Sequence, residues 1–111
     1  MMTYTEIKEI VRLTVRECER ERLLKRADDV AYSEIQARLF EYYKRPDKYP
    51  EIDQAVTALT ADPKFEIVPR YYRDRIQLDQ LAEMLGVDIS TVAKNKKRLA
   101  LEIYRLANNV Q

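Results

Sequence analysis

A single glycine separates two regular helical patterns in the C-terminal half of this sequence. Gly86 is the only glycine among the 111 residues. The run before it has apolar residues at three- and four-residue intervals, at Leu78, Leu81, Ala82 and Leu85. A longer periodic run follows it, with apolar residues at Val92, Leu99, Ile103 and Leu106. Such intervals predict helices, and glycine ends a helix without steric cost. The pattern is therefore that of a helix-turn-helix.

The residues beside the glycine suit a close crossing of the two helices. Ala82 lies four residues before Gly86 and supplies the small side chain needed where the helices cross. Leu85 and Val87 are apolar and would close the angle between them, while Asp88 would cap the second helix by accepting a backbone N–H. We therefore expect Ala82, Gly86 and Asp88 to be the structural residues of the turn.

The second helix has a basic face opposite its apolar stripe. At about 100° per residue from Val92, the apolar residues fall within about 40°, and a polar set falls between about 140° and 240°. That set consists of Ser90, Lys94, Lys97, Arg98 and Arg105. From residue 89 onward, five basic residues accompany Glu102 alone, whereas the whole chain has a net charge of only +1. A basic helix face is often merely solvated, but Ser90 and Thr91 are short donors suited to phosphates and base edges.

The residues around the glycine also resemble a known family. The sequence L-A-E-M-L-G-V-D-I-S-T-V, residues 81–92, resembles the helix-turn-helix of sigma-factor region 4 and of phage late-gene regulators of the RinA/ArpU type. R-Y-Y-R-D-R, residues 70–75, resembles the aromatic lead-in of that phage group. The resemblance covers roughly residues 63–106. Gln77 departs from the Ser or Thr usual at the helix cap, and Asn95 departs from a usually more basic stretch.

This resemblance implies sequence-specific binding of double-stranded DNA and regulation of transcription by a phage or prophage protein, with RNA polymerase as a further partner. The second helix would enter the major groove. There Ser90, Lys94 and Lys97 would approach bases or phosphates. The full set of expected DNA-binding residues is Arg73, Arg75, Ser90, Thr91, Lys94, Asn95, Lys97, Arg98 and Arg105.

Helical patterns also occupy the N-terminal half. Thr3 and Glu6 have the spacing of a capping box ahead of an apolar run, which predicts a first helix. Cys18 lies on the apolar face of that helix and is expected to be a small buried side chain. A second helix is expected over roughly residues 33–44, with Ser33 as its cap, and residues 28–32 belong to either helix or to a break between them.

Prolines mark the remaining boundaries. Residues 45–50 read as a linker, because Pro46 disfavours a helix at the preceding residue and Pro50 suits the first turn of the next helix. Asp62 and Pro63 predict the start of another helix, which Pro69 would kink or restart. The expected fold is all-α. It has an N-terminal helical region over residues 1–62 and a helix-turn-helix DNA-binding domain over residues 63–111.

Composition argues against catalysis and metal binding. The sequence has no histidine and one cysteine, so the usual general base and the usual zinc ligands are missing. A single glycine provides no phosphate-binding loop. We therefore expect no enzyme activity, no cofactor and no metal. The N-terminus lacks the apolar core of a signal peptide and no run of apolar residues is long enough to span a membrane, so a cytoplasmic protein with no membrane partner is expected.

Two alternatives to transcription regulation stay open. A phage terminase small subunit also uses a helix-turn-helix to bind DNA, in that case for packaging. In a protein-interaction module, the helix-turn-helix would be a structural core, and the N-terminal helices would dock on RNA polymerase or another phage protein. The modest net charge favours the second alternative. Salt distinguishes it from DNA binding, because only contacts with phosphates weaken steeply as ionic strength rises.

A second apolar face on the long helix raises the question of a homodimer. Leu101 and Tyr104 fall outside the predicted core stripe, with Ala93 and Ala100 beside them. Either a second copy of the chain or its own N-terminal helices would cover this face. A two-fold dimer would double the contacts with DNA.

Overall fold

The computed structural model describes residues 26–109, and every regular element in that range is a helix. Residues 26–44 are helical and are named α1. A short 3₁₀ helix, Pro46–Lys48, precedes α2 (Pro50–Ala58), α3 (Ile67–Tyr72), α4 (Leu78–Leu85) and α5 (Ile89–Asn109). The all-α prediction is confirmed. The expected first helix, with Thr3, Glu6 and Cys18, lies outside the described residues.

Ser33 does not cap the second helix as predicted, and residues 28–32, whose place was left open, belong to the same helix. Residues 26–44 form one uninterrupted helix, so Ser33 lies inside it and caps nothing. Residues 26–32 contain neither proline nor glycine, and nothing in them breaks a helix that continues through Ser33. The predicted end is correct. Arg45 leaves the helical region with φ −141° and ψ 76°, as expected for a residue before a proline.

Pro46 and Pro50 begin helices, whereas the helix start predicted at Asp62 and Pro63 is not observed. Pro50 begins α2 as expected. Residues 59–66, however, form turns, so no helix begins at Asp62 and Pro63. A carboxylate oxygen of Asp62 instead accepts the N–H of Lys64 at 2.9 Å, which favours a turn. Helix α3 begins at Ile67. Pro69 therefore lies in its first turn, where a missing N–H removes no helical hydrogen bond, and it neither kinks nor restarts a helix.

Helix α5 lies at the centre of the core. It packs against α2, α3 and α4, and Val92, Leu99 and Ile103 on its predicted stripe are fully buried. Leu106 was predicted on the same stripe but is 37% exposed. Because the buried stripe also includes Ala100, its centre lies about 20° from Val92 around the helix axis, on the side of Ala100. Leu106 lies about 40° from Val92 in the opposite direction, at the edge of the core.

The chain's own helices cover most of the second apolar face. Ala100 is fully buried, and Tyr104 packs against the main core cluster, which includes Tyr42, Ile52 and Val56. Of the two occupants expected for this face, the chain's own helices therefore cover Ala100 and part of Tyr104. Leu101 is half-buried. The homodimer stays a prediction, without these two residues as its argument.

The chain divides into two units, the second of which begins at Ala31. Within the second unit, α2 and α5 pack together, so elements from either side of the predicted boundary at residues 62 and 63 share one core. The division of contacts lies between Val30 and Ala31. That residues 63–111 alone bind DNA stays a prediction.

Gly86 adopts the left-handed conformation predicted for it, with φ 67° and ψ 34°. The N–H of Val87 donates to the carbonyl of Ala82 at 3.1 Å, which closes the end of α4. A Cβ built on Gly86 meets nothing within 4 Å. The cost of a substitution here is therefore the strain of the backbone and not a collision of side chains.

Replacing Gly86 with valine is expected to lower the free energy of unfolding by about 1–2 kcal/mol, because a β-branched residue is strained at positive φ. Gly86→Asn is the matched control and should lose less, since asparagine tolerates this conformation. Urea unfolding followed by circular dichroism measures both. Equal stability of the valine variant and the parent would show that the turn does not need glycine.

Candidate nucleic-acid interface

Helices α4 and α5 are joined by a three-residue turn, Gly86 to Asp88. The buried residues between the helices are Ile67, Leu81, Ala82 and Val92, so Ala82 lies in the contact predicted for a small side chain. Asp88 directly precedes α5, and its backbone carbonyl accepts the N–H groups of Thr91 and Val92 at 3.0 and 3.2 Å. Within residues 26–109, no hydrogen bond joins the Asp88 carboxylate to these N–H groups. The predicted side-chain cap is therefore not formed.

Two of the polar side chains predicted in the first two turns of α5 are exposed to solvent. Ser90 and Lys94 are exposed, and Thr91 is half-buried. Lys97, one turn later, is half-buried, with its ammonium 5.6 Å from the centre of the Tyr32 ring. Because an α-helix rises about 1.5 Å per residue, Arg105 lies roughly 24 Å along the helix from Ile89. The structure therefore places Ser90 and Lys94 together and Arg105 far from both.

Arg98 is held by an acidic residue outside its own helix. Its guanidinium donates to both carboxylate oxygens of Asp62, at 3.0 and 3.2 Å, and it lies 3.8 Å from Glu102. The hydrogen bond from Arg98, followed by that from the Lys64 N–H, lowers the pKa of Asp62 below its usual value. The same contact with Asp62 raises the pKa of Arg98. This bidentate pair ties α5 to the 59–66 turn.

The amide of Asn95 is also engaged within the protein. Its nitrogen donates to the carbonyl of Thr91 at 3.0 Å, and its oxygen accepts from Arg98 at 3.3 Å. A bidentate contact with adenine needs both ends of an amide. One N–H and one lone pair of the Asn95 amide are thus already used inside the protein.

The two arginines before α4 differ in their surroundings. Arg73 is exposed and pairs with the neighbouring Asp74 at 2.9 Å. Arg75 has a positive φ of 60°, and its guanidinium lies 4.0 Å from the centre of the Phe40 ring. Stacking on an aromatic ring leaves the N–H edges of a guanidinium available. Both residues lie in the connection between α3 and α4, and their contact with DNA stays a prediction.

Lys96 is buried, although it is one of the five basic residues counted from residue 89 onward. It is only 6% exposed, and its ammonium donates to the Gln36 side-chain oxygen at 3.0 Å. The centres of the Tyr71, Tyr32 and Tyr72 rings lie 3.9, 5.6 and 6.0 Å away. The helical wheel contained the signal for this burial, because Lys96 lies about 40° from Val92, inside the apolar stripe.

Tyr72 completes the same buried network. Its hydroxyl donates to the Gln36 oxygen at 3.2 Å, so one amide oxygen accepts from both a tyrosine and a lysine. Burial is the main cause that raises the pKa of Tyr72 above its usual value. The aromatic pair before the motif therefore packs around Lys96 and joins α1, α3 and α5.

Comparison with protein-family models, curated proteins and solved structures gives no match to this chain. Within residues 26–109, no group of three or more His, Cys, Asp or Glu side chains is placed to hold a metal ion. None of the helices in the same range has the length and apolar character needed to cross a membrane.

Proposed function

We propose that this protein binds double-stranded DNA in a sequence-specific manner and regulates transcription as a phage or prophage protein. Helices α4 and α5 would form a helix-turn-helix of the sigma region 4 type. The observation that supports this proposal is the start of α5. A left-handed glycine turn leads directly into a helix whose first two turns expose Ser90 and Lys94, while Val92 packs against α4.

The dimensions of α5 suit the major groove. An α-helix with its side chains is about 10–12 Å wide, and the major groove is about 12 Å wide. The N-terminal end of a helix also favours phosphate, because its free N–H groups carry partial positive charge. In this arrangement Ser90 and Lys94 contact bases or phosphates, Lys97 follows on the same face, and α4 crosses the backbone with Arg73 and Arg75 nearby.

Acidic residues around the turn would limit binding to arbitrary sequences. Asp79, Glu83 and Asp88 are all exposed, and each carboxylate repels nearby phosphates. Affinity for DNA would then depend on correct contacts with bases more than on general electrostatic attraction. This is the balance that a sequence-specific regulator requires.

Replacing Asp62 with asparagine is expected to raise the affinity for DNA about two- to fivefold. The slope of the logarithm of affinity against the logarithm of salt concentration should steepen by about one released counterion. The substitution frees the Arg98 guanidinium for a phosphate. Glu102→Gln is the matched control, because Glu102 lies farther from Arg98, at 3.8 Å, and should have a smaller effect. Weaker binding by Asp62→Asn would show instead that the pair holds α5 in its binding position.

The experiment that tests the proposed function selects bound duplexes from a pool of random sequences of about 30 base pairs and then measures binding to the selected duplexes by fluorescence anisotropy, from about 0.05 to 0.2 M potassium chloride. We expect affinity to fall steeply over this range and repeated selection to enrich one shared sequence. Absence of binding at the lowest salt would overturn the proposal.

A protein-interaction module is the second candidate, and a specific observation favours it. Several cations near the motif already have partners inside the protein: Lys96 is buried, Arg98 is paired with Asp62 and Arg75 lies on Phe40. Binding to RNA polymerase or another phage protein through an apolar surface would be nearly indifferent to salt. The salt titration therefore separates the two candidates.

A further inference from the structure

An exposed isoleucine begins α5. Ile89 is the first residue of that helix and is 52% exposed. The other large apolar side chains with high exposure among the described residues are Val30, Met84 and Leu106. Ile89 and Met84 thus lie on either side of the turn between α4 and α5, beside the proposed DNA-contacting end.

The fold makes little use of the Ile89 side chain. It belongs to neither of the two buried clusters, nor to the partly buried residues packed against them. β-Branched residues have lower helix propensity than many polar ones, so a polar residue would serve the helix at least as well. A single exposed apolar residue is common on protein surfaces, but this one stands at the end of α5 that would enter the groove.

The polar residues that follow Ile89 lie on an adjoining face of α5. Ser90 is about 100° and Lys94 about 140° around the helix axis from Ile89, and both are exposed. In the major groove, thymine presents a methyl group next to the O4 acceptor, a combination that no other base offers. The methyl group is the part of that edge that an apolar side chain can pack on, and Ile89 is exposed at the end of α5 that would enter the groove.

We propose that Ile89 is a specificity-determining residue that packs on the 5-methyl group of a thymine in the bound DNA. This inference rests on the proposed function, since it requires α5 to enter the major groove. Met84 provides the matched control. It is equally exposed, at 52%, but lies in the last turn of α4 and not at the end of α5 that would enter the major groove.

The experiment compares wild type, Ile89→Ala and Met84→Ala on the duplex that wild type selects from the random pool. Each thymine is replaced in turn by deoxyuridine, which keeps the base pair and lacks only the methyl group. At one position we expect wild type and Met84→Ala to lose about fourfold in affinity, as for burial of one methyl-sized group. Ile89→Ala should bind the thymine and deoxyuridine duplexes equally at that position.

Three results would overturn the role of Ile89. They are selection of a site without thymine, indifference of wild type to every deoxyuridine, and an equal loss in wild type and Ile89→Ala. Each of these leaves duplex binding intact, so the proposed function would survive. Enrichment of no sequence despite duplex binding also overturns base reading by Ile89. Failure to bind any duplex overturns both proposals, and the anisotropy titration detects that case by itself.

If Ile89 and Met84 instead form one docking surface for a protein, both alanine variants lose binding to that protein and neither alters the response to deoxyuridine. That outcome contradicts the thymine contact. Both substitutions are at exposed helix positions and place alanine, a strong helix former, there. Thermal unfolding of the two variants should match that of the parent.

Discussion

A variant in which Lys94 and Lys97 are both alanine is expected to bind duplex DNA at least about tenfold more weakly than wild type near physiological salt. Both side chains are on the proposed contact face of α5. A lysine that neutralises a phosphate releases a condensed counterion, so removing two such contacts also flattens the dependence of affinity on salt, by roughly two ions.

The matched control removes the same charge from another place. Lys44 and Lys48 are exposed and lie at the end of α1 and in the 3₁₀ helix, outside the proposed interface. Lys44→Ala with Lys48→Ala should bind DNA nearly as well as wild type. An equal loss in the two double variants would mean that DNA senses only the net charge of the protein, and no loss in either would remove α5 from the interface.

Replacing Lys96 with glutamate is expected to lower the free energy of unfolding by about 3 kcal/mol or more. The buried ammonium lies 3.9 Å from the Tyr71 ring centre and donates to Gln36. A carboxylate there faces the negative ring faces and an acceptor oxygen, and its burial has no compensating partner. Urea denaturation measures the change.

Two controls separate burial from charge at Lys96. Lys96→Met keeps much of the volume and removes the charge, so we expect a smaller loss of about 1–2 kcal/mol. Lys94→Glu makes the same charge reversal at an exposed position two residues away, on the opposite side of α5, where the loss should be about 0.5 kcal/mol or less. If Lys96→Glu is as stable as the parent, the side chain at position 96 can move out of its buried site at little cost.

Local patterns in the sequence were sufficient for the parts of the fold that depend on neighbouring residues. The left-handed turn at Gly86, the first turn of α2 at Pro50 and the burial of Leu99 each follow from spacing within a few residues. Periodicity and the conformational limits of glycine and proline determine them. These predictions are confirmed.

Contacts between distant parts of the chain could not be predicted in this way. The Arg98–Asp62 pair joins residues 36 positions apart, and the Lys96–Gln36 hydrogen bond joins residues 60 apart. Helix periodicity gives the direction of a side chain but not the partner that another helix brings to it. For that reason the basic face predicted on α5 included Arg98, which the structure pairs with Asp62.

The central proposal, that the first turns of α5 contact duplex DNA, is tested most directly by the reactivity of individual lysines. The protein is acylated at low reagent concentration, with and without the selected duplex, and each modified lysine is quantified by mass spectrometry. Lys96, which is buried, serves as an internal reference of low reactivity in both samples. We predict that DNA strongly protects Lys94 and Lys97 and leaves Lys44 and Lys48 unchanged. Protection of Lys44 and Lys48 with Lys94 still fully reactive would contradict the proposed interface.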